Sequence, residues 1–160
     1  MKVDEIEPDI DLGALLPGAQ FADAWRIAVD HAAFDARRAA ERTIGRQPRW
    51  ARALLVLRNI LVTPFGLKTS GAGEAGPGAT RDMIGIFPVV SETPQRLVAG
   101  FNDRHLDFRV VVDVARAGSL QTITATTLVL THNRLGRAYL AIILPFHRLI
   151  VRAMMRQIAA

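Results

Sequence analysis

The last third of the chain limits the fold most strongly. Two β-rich runs, His105 to Val114 and Ser119 to Thr131, feed into one long amphipathic helix from Asn133 to Ile158. At 1.5 Å per residue that helix is ~40 Å long, enough to cross a whole sheet. A closing helix behind antiparallel strands implies a sheet curling around it, with room for a cavity between them. Tyr139, Ile142, Ile143, Phe146, Ile150, Ala153 and Met154 share the predicted apolar face, and Arg137, Arg148, Arg152 and Arg156 cluster opposite. Pro145 removes one amide and should bend the helix.

Upstream, residues 1–18 read as an acidic lead-in closed by Pro17-Gly18, and residues 19–160 as a single domain. A first strand is expected from Gln20 to Val29. Asp30 can cap a helix running to Arg42, because its carboxylate accepts from unpaired first-turn amides. Pro48 suits the first turn of a second helix, where Trp50, Leu54, Leu57 and Leu61 recur at helical spacing. Residues 68–80 read as a loop. Gly71, Gly73 and Gly76 literally satisfy G-x-G-x-x-G, but Pro77-Gly78 follows where a dinucleotide site needs a helix. Strands from Met83 to Val90 and Arg96 to Phe101 complete a meander, with Pro88 marking an end, bulge or edge. The class is α+β: an antiparallel sheet of about five or more strands curling around the C-terminal helix, with two helices inserted after the first strand.

Composition narrows the chemistry. The chain has no cysteine, which excludes disulfides, thiolate metal sites and cysteine nucleophiles. The formal charge is +5, but five acids fall within residues 1–11, so the body is more basic than the whole. No aromatic–basic interleaving accompanies that charge, so nucleic acid is not the expected partner. The start lacks the pattern of a signal peptide, and the expected location is cytoplasmic. Arg58, His147 and Arg148 interrupt the longest apolar runs, so no integral membrane association is expected. The four histidines show no metal-ligand spacing, and neither a metal nor another cofactor is called for.

Three blocks, PRWARALLVLRNILVTPFGLK (48–68), NDRHLDFRV (102–110) and HNRLGRAYLAIILPFHRLIVRAMMRQI (132–158), resemble a bacterial family known as domain of unknown function 2867. The similarity covers nearly the whole chain. Members occur alone or behind a short-chain dehydrogenase domain, which implies an oxidoreductase as a partner. The family is similar to the helix-grip superfamily, which includes START, birch-pollen-allergen and polyketide-cyclase-like domains. The resemblance implies a helix-grip-like fold and brings no catalytic residues with it.

The segment from Asp103 to Arg109 is the most heavily charged candidate. In a strand, His105, Asp107 and Arg109 share one face and Leu106, Phe108 and Val110 the other. The trio is either solvated and paired across strands, or turned inward where a His–Asp pair could move protons. The first is the simpler expectation, because sheets hide their apolar stripe. A two-residue turn at Ala117-Gly118 would set Arg109 opposite Thr126. A three- or five-residue loop would slide Leu128 and Leu130 behind Leu106 and Phe108. His147 lies at the edge of the helical stripe, two turns after Tyr139, where a carbonyl or carboxylate should satisfy it. The candidate ligand-binding residues are therefore His105, Asp107, Arg109, Tyr139 and His147. The leading expectation is non-covalent binding of a small apolar molecule between sheet and helix. An acid–base enzyme acting on a hydrophobic substrate and an accessory module docking on an oxidoreductase are the alternatives.

Overall fold

The structure is a computed structural model that describes residues 2–46 and 82–159 and, between them, Arg49 and Pro64 alone. The second expected helix and the glycine-rich segment 68–80 lie outside the described residues. The strands are β1 (Val3–Ile6), β2 (Phe21–Asp30), β3 (Met83–Ile84), β4 (Phe87–Glu92), β5 (Arg96–Asn102), β6 (Leu106–Ala117) and β7 (Leu120–Thr131). The described helices are α1 (Leu12–Leu15), α2 (Ala36–Thr43) and α3 (Arg134–Arg156), the last followed by a 3-10 turn at Gln157–Ala159. All seven strands join one antiparallel sheet in the order β1-β2-β7-β6-β5-β4-β3. The expected α+β plan, a sheet with a closing C-terminal helix, is the observed one.

Two strands enlarge the expected count. Val3 to Ile6 pairs with Ile27 to Ala24 along the sheet edge, so the acidic start contributes backbone to the sheet. A turn at Gly85-Ile86 splits the single run expected from Met83 to Val90 into β3 and β4. Pro88 lies within β4, opposite Met83 and just before a bulge, where the register slips between Val89 and Ser91.

α2 starts later than its sequence suggests. β2 continues to Asp30, and the helix is capped by Asp35, whose carboxylate accepts from the Arg38 amide at 2.8 Å. Buried Gln121 explains the delay. Its amide accepts from the Phe34 N–H at 2.9 Å and donates to the Phe34 carbonyl at 2.7 Å, holding that residue extended. The helix then lays Ala36, Ala39, Ala40 and Thr43 on the sheet, small residues that permit a close approach.

Period-two alternation gives the sheet two distinct faces. Trp25, Ile27, Val29, Val110, Val112, Ile123 and Ala125 form the main core with α2 and the end of α3. On the other face Val98, Val111 and Leu128 pack under Leu16, with Ile10, Leu12 and Leu15 beside it. β6 and β7 join through a two-residue turn at Gly118-Ser119, with Gly118 at φ +62°, so Ala117 opposes Leu120. The turn lies one residue beyond the expected position. Arg109 is therefore opposite Leu128, and Asp107 opposite Leu130.

α3 is capped by Asn133, whose side-chain oxygen accepts from the Gly136 amide at 3.0 Å. Gly136 has no substitute there, because a Cβ would stand 2.1 Å from the His105 carbonyl oxygen. Pro145 is tolerated on the exposed side, where water can satisfy the carbonyl of Ala141 that it leaves without an amide partner. The face turned to the sheet carries Leu140, Ile143, His147, Ile150, Val151, Met154 and Met155. Ile142 and Phe146, expected inside, are 69% and 45% exposed, and Leu149 is exposed beside them. α3 is apolar on more than one side, so the stripe read from its sequence was rotated from the face that packs. By length and composition alone α3 is apolar enough to cross a membrane; here its inner face lies on the sheet.

Candidate functional site

A cavity of about 190 Å³ lies between the inner face of the sheet and α3. One wall is aromatic: Phe108 stacks against Phe87 with centroids 5.1 Å apart and against Phe101 at 5.7 Å. Val110, Ala125 and Val129 form its floor, and Leu140, Ile143, Ile150 and Met154 its helical roof. The described lining has four polar members, Thr43, Thr127, Tyr139 and His147, and no lysine, arginine or carboxylate. The Thr43 hydroxyl donates back to the carbonyls of Ala39 and Ala40, at 2.9 and 3.2 Å.

Behind this lining sits a buried carboxylate. Asp23 lies on the inner face of β2, sharing parity with Phe21, Trp25 and Ile27. Both of its oxygens are 3.1 Å from Nε2 of His147, and the Trp25 indole N–H donates to Oδ2 at 2.9 Å. Thr127, its cross-strand neighbour, adds a side-chain hydrogen bond. Burial by itself would push the Asp23 carboxyl up. The His147 hydrogen bond and charge, with the Trp25 and Thr127 bonds, outweigh it and hold the group below the usual carboxylate range. An ionised carboxylate only accepts, so Nε2 of His147 carries its proton toward Asp23. The other ring nitrogen, Nδ1, has no hydrogen-bond partner among the described residues. Phe21 meets the imidazole edge-on, with centroids 5.9 Å apart. A fixed tautomer in an apolar wall is what a hydrogen-bonding anchor or a general base requires.

The five residues singled out by sequence divide between two places. Tyr139 and His147 line the cavity. Asp107 and Arg109 share parity with Val111 and so occupy the opposite face of the sheet. There Asp107 pairs with His132 at 3.0 Å. Arg109 donates to the carbonyls of Phe101 and Phe108, at 3.1 and 2.8 Å, and to Asn102 at 2.7 Å. Burial lowers the Arg109 guanidinium from its usual range, opposed by the nearby Asp107 charge. His105 serves the helix start: its Nδ1 accepts from the Asn133 side-chain amide at 2.8 Å, and its buried Nε2 has no partner among the described residues. The structure therefore does not bring the strand trio to the cavity.

Asp23 is the functional candidate that sequence reasoning passed over. Its signal was available, because an aspartate on the apolar parity of a strand must find a buried partner. His147, as expected, is satisfied by a carboxylate. Among the described residues no cluster of histidine, aspartate or glutamate could hold a metal ion. Residues 15–154 match a family model described as a protein of unknown function, DUF2867. No curated protein matches the chain.

Proposed function

The chain belongs to the DUF2867 family, and for this member we propose non-covalent binding of a small apolar molecule between the sheet and α3. The cavity carries the reading. Its volume of about 190 Å³ and its aliphatic and aromatic lining suit an occupant of one or two rings. An apolar protein cavity of about 150 Å³ suffices for benzene. The Asp23–His147 pair would give such an occupant one fixed polar contact, the usual division of labour in a ligand pocket. The sheet-and-helix plan supports helix-grip kinship as part of this reading. Native mass spectrometry of the purified protein tests it: a small-molecule adduct that denaturation releases is expected. A bare chain mass, with no uptake of an added aromatic hydrocarbon, would overturn it.

The same pair supports a second reading, an acid–base enzyme in which Nδ1 of His147 takes a proton from a bound hydrophobic substrate. Conversion of the co-purified molecule during prolonged incubation would favour that reading over simple binding.

A further inference from the structure

The polar groups around the cavity are unequally committed, and that inequality defines what can enter. Three sets of contacts engage the Asp23 carboxylate: His147, the Trp25 indole and Thr127. The Thr43 hydroxyl proton is committed to the carbonyls of Ala39 and Ala40, and Tyr139 is engaged as well. An anionic head would find no lysine or arginine in the described lining and would lie close to Asp23. A cationic head would have to compete with His147 for carboxylate oxygens already occupied. Among the described lining neither charge finds a free partner, and an ion moved into an apolar site needs one. With Nε2–H directed at Asp23, Nδ1 of the neutral imidazole is an acceptor with no partner among the described residues, on a side chain that lines the cavity. It is a stronger base than the hydroxyl oxygens of Thr43 and Thr127.

We propose that the occupant is a neutral, largely apolar molecule with a single hydroxyl that donates its hydrogen to Nδ1 of His147. This inference rests on the cavity reading above and adds the chemical class of the ligand. The hydroxyl selects among molecules of similar size, while the aromatic and aliphatic walls supply most of the affinity.

Three probes with the same ring system test it: naphthalene, 2-naphthol and 2-naphthoate. Each is equilibrated with the intact protein by dialysis at about pH 8, above the ordinary imidazole pKa of about 6.5, and read by its own fluorescence. The naphthol should bind roughly fivefold to tenfold more tightly than the hydrocarbon, the worth of one net hydrogen bond. The naphthoate should bind most weakly. In the double variant Asp23→Asn/His147→Phe the naphthol advantage should fall to about unity. The introduced amide oxygen keeps an acceptor for Trp25, and no unpaired charge is left behind. Equal binding of naphthalene and naphthol to the wild-type protein, or tightest binding of naphthoate, would overturn the hydroxyl assignment while leaving the cavity reading intact. Binding of none of the three would remove both. The wild-type series decides even where the double variant fails to fold.

Discussion

His147 stands 3.1 Å from Asp23 on the inner face of the sheet, and His132 stands 3.0 Å from Asp107 on the outer one. By distance the two pairs are the same interaction. Their surroundings differ: the inner side chains are 16% and 8% exposed, the outer ones 38% and 15%. Solvent at His132 screens the outer pair and can replace either partner if the other is removed. The inner pair has an apolar cavity on one side and the sheet on the other, so neither member has a substitute. The consequence of a histidine–carboxylate contact is set by what would stand in for a lost partner, more than by its length.

The largest expected effect removes His147. In His147→Ala the buried Asp23 carboxylate keeps Trp25 and Thr127 but loses the imidazole N–H that lies against both its oxygens, at a cost of about 3–5 kcal/mol in denaturant melts. A double-mutant cycle sharpens the contrast: Asp23 and His147 should couple by about 1.5–3 kcal/mol, and Asp107 and His132 by far less. Acid should separate the faces next. With its carboxyl held below the unfolded value of about 3.9, Asp23 contributes its full stabilisation above that pH. The contribution is lost as pH falls through the lower, folded value. Melting temperatures recorded from pH 5 downward should therefore fall less steeply below about pH 4 in Asp23→Asn than in the wild-type protein. The smallest effect belongs to His132→Ala, under ~1 kcal/mol. Equal losses in His147→Ala and His132→Ala would break the comparison.

Where periodicity was strong, the sequence foretold the elements well. β5, β6, β7 and α3 fall within a few residues of their expected bounds, because alternation and helical spacing persist over long runs. β1 was hidden by its own charge: Asp4 and Glu5 sit in a four-residue edge strand with Val3 and Ile6. The start of α2 was decided by Gln121, a partner 87 residues away, and no local pattern of aspartates carries that contact. The packed face of α3 was legible only in part, since Ile142 and Phe146 are as apolar as the residues that do meet the sheet. The site divides in the same way. Parity alone could have placed Asp23 inside, whereas its pairing with His147 spans 124 residues and exists only in the fold. The trio on β6 drew attention because its charges are adjacent in sequence, yet Asp107 and Arg109 face away from the cavity.

The central claim is that an apolar molecule enters between the sheet and the inner face of α3. Intermolecular nuclear Overhauser effects from bound naphthalene to assigned methyl groups test this directly. Contacts to Ile143 and Ile150, which line the cavity, with none to Ile142 and Leu149 on the exposed side of the same helix, are the expected result. Contacts confined to Ile142 and Leu149 would place the molecule on the surface and contradict the account.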